Sequence, residues 1–172
     1  MKKFITAMCS FALVLFLGLA VGCGPTTDAA RLRISSHTNT FSVSGTTDLI
    51  FTAKEGEEGN KEKNNNISGG IDIVFMGENT YGDEYTITFS EVASSSTYTI
   101  TANGETVTNS ASVTFKDKLT IHIASSTALS GADAVKLFTM KVAATTKNAK
   151  KISSFHEATY SVSLKAYVEA AA

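Results

Sequence analysis

The chain is poor in the residues that carry most small-protein chemistry. It has two cysteines, one proline and no tryptophan. Two cysteines cannot make a disulfide-dense scaffold, and without Trp the usual flat platform for a sugar ring is missing. Charge is sparse as well: 18% of residues are charged and the formal net charge is −1. A general nucleic-acid binder carries a basic excess, so no nucleic-acid partner is expected. The patterns HExxH, CxxC and GxSxG and a phosphate-binding glycine loop are absent, which lowers the expectation of catalysis. What is present is apolar residues, at 43% too many for a wholly disordered chain. A length of 172 residues allows one domain, or two very small ones.

Residues 1–22 have the layout of an export signal. Lys2 and Lys3 give a positive start, and Phe4 to Val21 is apolar apart from Thr6 and Ser10. About 18 apolar residues also approach the length of a membrane-spanning helix, but the end of the segment argues for processing. It reads Leu19-Ala20-Val21-Gly22-Cys23. This resembles the bacterial lipobox, where small residues lead into a cysteine that is lipidated and becomes the new N-terminus. The resemblance departs at Ala20, where leucine is usual, and Leu19 stands one step earlier. Small side chains let a peptidase reach the backbone, and the free thiol of Cys23 takes the diacylglyceryl group. Cys9 has too little apolar sequence before it to be the lipidated residue.

The expected organisation is a cleaved signal at 1–22, a lipidated Cys23 with a short tether to residue 30, and one domain over 31–172. The mature chain would have 150 residues, 13 basic and 16 acidic, with no free thiol in the folded part. Thiol nucleophiles, thiolate metal sites and redox chemistry are then excluded. Two or three acyl chains hold a protein stably on a bilayer without any spanning helix. The expected partner is therefore a membrane, engaged through the lipid on Cys23, in a bacterial cell envelope. Gly24, rather than Asp, after the lipidated residue points to the outer membrane or cell surface in a diderm cell, by resemblance to enterobacterial sorting.

Beyond the tether the sequence reads as strands. Ser and Thr make up roughly a quarter of the chain, and threonine suits exposed strand faces. Arg31-Leu32-Arg33-Ile34, Phe41 to Ser44 and Leu49 to Ala53 alternate polar and apolar residues. Tyr85, Ile87 and Phe89 keep a period of two, as do Val162, Leu164, Ala166 and Val168. Ile71 to Met76 is nearly all apolar and reads as a central strand. Asn103-Gly104 predicts a two-residue hairpin that pairs Ala102 with Glu105 and Ile100 with Val107. Lys116-Asp117-Lys118 predicts a second hairpin, with Phe115 opposite Leu119. Residues 55–66, rich in charge and Asn, predict a mobile loop. Residues 128–134 allow a turn of helix. The fold class that follows is all-β: an antiparallel β-sandwich of about nine strands, Ig-like or jelly-roll-like.

Candidate site residues are few. Tyr81 lies in a glycine-rich loop, the best place for an aromatic to meet a ligand, with Asp83 and Glu84 beside it. Tyr85 and Tyr98 fall on apolar faces and read as core. His122 is placed on the outer face of its strand beside Thr120. His156 and Glu157 are neighbours on opposite faces. A hydrolase would need a histidine within hydrogen-bond reach of a serine or acid inside a cleft. Acidic residues at 55–62 and 78–84 lack the spacing of an EF-hand, and lysines 54, 61 and 63 offset the first group. Lys147, Lys150 and Lys151 form a basic stretch that reads as a solvated loop. No catalytic residue, metal site or cofactor is assigned.

Two stretches resemble cohesin-like bacterial β-sandwich modules. One is Ser68-Gly69-Gly70-Ile71-Asp72-Ile73-Val74-Phe75, similar to their early strand. The other runs Leu119 to Val142, a strand, a small-residue turn and a strand ending Met140-Lys141-Val142. The Tyr-Asp pair that follows the early strand in those modules is missing, so no dockerin-binding surface is carried over. The resemblance implies a sandwich that binds other macromolecules. The expected function is a non-catalytic lipoprotein acting in adhesion, envelope assembly or protein binding, through loops 55–66 and 77–84. The alternative is a carbohydrate or small-solute module using Tyr81, which would require a concave pocket with converging polar groups.

Overall fold

Among the described residues the alternating segments form eleven strands. A computed structural model describes residues 31–78, 84–145 and 157–170. The strands are β1 (Leu32–His37), β2 (Phe41–Ser44), β3 (Asp48–Ala53), β4 (Ile71–Gly77), β5 (Glu84–Ser90) and β6 (Tyr98–Ala102). They continue with β7 (Glu105–Thr106), β8 (Ser112–Phe115), β9 (Lys118–Ser125), β10 (Val135–Thr145) and β11 (Ala158–Lys165). Five make one sheet, in the order β1-β4-β9-β6-β7. Six make the other, in the order β2-β3-β11-β10-β5-β8. The sheets pack face to face as a β-sandwich. All pairings are antiparallel except β3 with β11, which is parallel.

The core follows from the period of two. Ile73, Phe75, Leu119, Ile121 and Ile123 point inward from the five-stranded sheet. Phe51, Ile87, Phe89, Met140, Val162 and Leu164 meet them from the six-stranded sheet. Burying each such side chain stabilises the fold by about 1.5–3 kcal/mol. Phe89 and Phe138 meet edge to face at 5.6 Å. A bulge at Leu137 shifts the β10–β11 register between Lys136 and Phe138, so Leu137 and Phe138 are both buried. The Leu137 carbonyl accepts the Ala93 N–H at 2.6 Å, so the irregular residue keeps a partner.

The Asn103-Gly104 hairpin forms in the expected register. Ala102 faces Glu105, and the Val107 N–H donates to the Ile100 carbonyl at 2.9 Å. Both turn residues have positive φ, 50° and 90°, as a tight hairpin of this twist requires.

The second expected hairpin does not form. Phe115 pairs with Tyr85 on β5, while Leu119 pairs with Phe75 on β4. The chain at Lys116-Asp117 therefore crosses from one sheet to the other. Inward alternation is satisfied as well by facing across the core as by pairing within a sheet, and Phe115 stacks on the Tyr85 ring at 5.4 Å. β9 and β10, the strands of the second cohesin-like stretch, likewise lie in different sheets.

Three further expectations change. Residues 55–66, expected to have almost nothing to bury, are anchored at Asn65. The segment contains a short 3-10 turn at Lys63–Asn65, and Asn65 is buried. Its side chain accepts the Tyr167 N–H at 2.7 Å and donates to the Tyr167 carbonyl at 2.9 Å. The neighbouring Asn64 amide donates to the carbonyls of Lys54 and Glu55. With the Tyr167 backbone bonded to Asn65 rather than to a neighbouring strand, β11 stops at Lys165 and Val168 is exposed instead of inward. Residues 128–134 are irregular, without a helix. Leu129 is buried there, and its N–H donates to the Asn65 carbonyl at 2.8 Å.

Candidate functional site

Cys23, Tyr81, Asp83, His156 and the lysines at 147, 150 and 151 lie outside the described residues. Glu84 opens β5 on the outer side of the six-stranded sheet, half-buried and opposite Thr145. Tyr85 is buried in the core as expected, whereas Tyr98 is half-buried at the rim of a cavity. Among the described residues, no three His, Cys, Asp or Glu side chains converge as a metal site. No helix among them is long and apolar enough to cross a membrane.

His122 stands on the outer face of the five-stranded sheet, directly across from Asp72. Its Nδ1 lies 2.9 Å from an Asp72 carboxylate oxygen. Gly70 makes room for the ring: a Cβ there would sit 2.0 Å from His122 Cε1. The pair is well exposed, with 40% and 60% of the two side chains accessible, and it stands on an open face rather than in a cleft. It meets one half of the requirement for a hydrolase and not the other. His37 is different: its ring packs edge-on against Phe51 at 5.7 Å, and its Nδ1 lies 3.1 Å from the Thr38 carbonyl.

The outer face of the six-stranded sheet is broad and rich in hydroxyls. Thr86 meets Thr114 at 3.3 Å, Thr88 meets Ser112 at 3.2 Å, and Ser161 donates to Asp48 at 2.8 Å. Charges there are also matched. Glu91 accepts from Lys136 and, at 2.6 Å, from the Thr139 hydroxyl. Those bonds, Lys136 first, hold the Glu91 carboxyl below its ordinary value. Lys141 pairs with Glu157.

The edge beside β1 is built differently. A groove of about 490 Å³ opens between β1 and the turn at Gly45-Thr46-Thr47. Leu32, Ile34, Leu49, Phe75 and Tyr160 give it apolar walls, and Arg31, Arg33 and Glu78 stand at it as well. Arg31 and Arg33 are the only arginines in the chain. Among the described residues neither guanidinium has a carboxylate within ion-pair distance, although Lys61, Lys63, Lys136 and Lys141 each pair with a glutamate. The Glu78 N–H donates to the Arg31 carbonyl, so alternation turns the backbone groups of Leu32 and Ile34 away from β4. At Leu32 they are met by Tyr160: the Leu32 N–H donates to the tyrosine hydroxyl at 2.9 Å, and the hydroxyl donates to the Leu32 carbonyl at 3.3 Å. In the sequence Arg31 and Arg33 read as the outward half of a strand. The available signal was that both arginines stand two residues apart on the first strand of the domain.

A smaller cavity of about 190 Å³ lies between the start of β6, the end of β9 with the segment after it, and strands β10 and β11. Tyr98, Asp133, Thr97, Thr127 and Ser130 line it over Leu129 and Leu164.

No family model matches the chain, and no curated protein or solved structure matches it.

Proposed function

We propose that this chain is a non-catalytic bacterial lipoprotein, held on a membrane by lipid on Cys23, whose β-sandwich binds another protein in adhesion or envelope assembly. The export segment and its lipobox-like end support the anchor. The distribution of polar groups carries the rest. Among the described residues they spread over two broad sheet faces and one edge groove, and the Asp72–His122 pair stands open to solvent. Such surfaces suit contact with a macromolecule better than chemistry on a small substrate, which needs water excluded from converging groups. The cohesin-like stretches agree with a binding module, as analogy alone.

Two experiments test this. Cells fed an alkyne analogue of palmitate should label the protein, and Cys23→Ser should abolish the label and keep the signal attached. An unlabelled wild-type protein contradicts the anchor. Proteolysis of intact cells, against a lysed control, then separates a surface domain from a periplasmic one.

The cavity at Tyr98 favours a second reading, a carbohydrate or small-solute module. An aromatic ring, a carboxylate and several hydroxyls around about 190 Å³ could hold one sugar ring. Saturation-transfer NMR with a panel of monosaccharides decides it: Asp133→Asn must remove any signal if this cavity is the site.

A further inference from the structure

We infer that the β1 edge is the protein-binding surface, and that its occupant is a short extended peptide segment alternating acidic and aliphatic residues. The inference rests on the protein-binding reading above and adds the surface and the partner's chemistry.

Four observations meet at this edge. First, β1 has six residues, whereas the other sheet-edge strands β2, β8 and β7 have four, four and two. It offers the longest template for another strand. Second, the Ile34 amide and carbonyl face away from β4, with no hydrogen-bond partner among the described residues. Third, the groove lies where the inward side chains of an added strand would enter, beside Leu32 and Ile34 and over Leu49 and Phe75. Fourth, Arg31 and Arg33 stand at the alternate positions, exposed, and among the described residues no carboxylate lies within ion-pair distance of either, although Glu78 stands opposite Arg31 and Arg33 reaches the Met76 sulfur at 3.8 Å.

The alternation of β1 dictates that of its guest. In an antiparallel or parallel addition, side chains on neighbouring strands share faces. Residues beside Arg31 and Arg33 then lie on the outer face, where a guanidinium fork fits a carboxylate in bidentate fashion. Residues between them point into the groove, where an aliphatic side chain covers apolar wall. A Glu-Val-Glu pattern satisfies both. The Tyr160 hydroxyl already occupies the Leu32 rung, so the guest pairs its backbone at Ile34 and is held beside Arg31 and Arg33 through its side chains, which keeps it short.

The test uses random octapeptides displayed on phage, selected against the full-length chain in detergent micelles. Enriched sequences should carry Asp or Glu at positions two apart with Val, Ile or Leu between them. A synthetic peptide of that pattern should bind at least tenfold more weakly to the Arg31→Gln/Arg33→Gln variant, and its binding should shift the Ile34 amide resonance. Both arginines are exposed, so this variant folds. Enrichment without acidic alternation, or no enrichment, overturns the inference, as does binding indifferent to the arginines. Dodecanoate binding the groove in preference to every peptide also overturns it, in favour of a fatty-acid site. A failure here is distinguishable from failure of the protein-binding reading. If a protein still cross-links to the domain on cells, the reading stands and the surface is wrong.

Discussion

The outer face of the six-stranded sheet and the edge beside β1 are both exposed and polar, yet their polar groups are deployed differently. On the sheet face they answer one another: Thr86 with Thr114, Thr88 with Ser112, Ser161 with Asp48, Lys136 and Thr139 with Glu91. A partner docking there would have to replace bonds that already exist. At the edge, beside an apolar groove, neither arginine has a carboxylate within ion-pair distance, Arg33 reaching only the Met76 sulfur at 3.8 Å, and the Ile34 rung has no partner among the described residues. A partner there would add bonds. The difference shows why a large hydroxyl-rich area is not by itself a binding site, and why a small edge with unanswered groups is the better candidate.

The largest effect comes from removing what both regions rest on. Phe138 is fully buried against Phe89, and Phe138→Ala should lower the unfolding free energy by about 3–5 kcal/mol in urea denaturation. A loss below about 1 kcal/mol would mean that the two sheets do not share one core.

Next is the clamp under residues 55–66. Asn65→Ala removes both bonds to Tyr167 and should cost about 1–3 kcal/mol, because two backbone groups lose their partner. Amide exchange should quicken at Tyr167 and Leu129 while β1 stays protected. Equal quickening at β1 would show that edge and loop open together.

Tyr160→Phe acts on the edge alone. It deletes the hydroxyl that meets Leu32 and should cost about 0.5–1.5 kcal/mol. It also frees a second rung of β1, so the Leu32 amide should exchange faster and the acidic peptide should bind more tightly. Unchanged exchange at Leu32 would remove Tyr160 from the account of the edge.

The smallest effect sharpens the other half of the comparison. The Glu91 carboxyl is held below its ordinary value of 4.5 by Lys136 and Thr139. A lowered carboxylate contributes stability that is fully present above the unfolded value and is lost as pH falls through the folded one. Its exposure keeps the contribution small. Denaturation midpoints should therefore fall slightly between pH 5 and lower pH in the wild type, and less in Glu91→Gln. An identical slope in the two would show that the ion pairs on this face are not formed in solution.

Much of this architecture is legible in the sequence, because burial on one strand face imposes a period of two. Tyr85-Thr86-Ile87-Thr88-Phe89 and Leu119 to Ile123 follow it without exception, and Asn103-Gly104 states its own turn. Eleven strands form where about nine are expected, since the short pieces at 105–106 and 112–115 count separately. What alternation cannot encode is which sheet a strand joins. Phe115 and Leu119 point inward in either arrangement, so the crossing at Lys116-Asp117 is invisible without the partners. The clamp at Asn65 is hidden for a related reason: an asparagine in a charged run reads as solvated until Tyr167 is brought beside it from the far end of the chain. The groove at β1 depends on residues from four separate segments, so only its arginines could be seen in advance. Cys23, Tyr81 and Asp83 lie outside the described residues, and the loop site built on the last two stays an expectation of the sequence.

The most direct measurement places a photo-reactive amino acid at Arg33 or at Thr88 in the full-length protein and irradiates intact cells. Both positions are exposed, one beside the groove and one on the hydroxyl face. The account predicts a discrete protein cross-link from position 33 and none from position 88. A cross-link from 88 with none from 33 would contradict it, and place the working surface on the face whose groups already have partners.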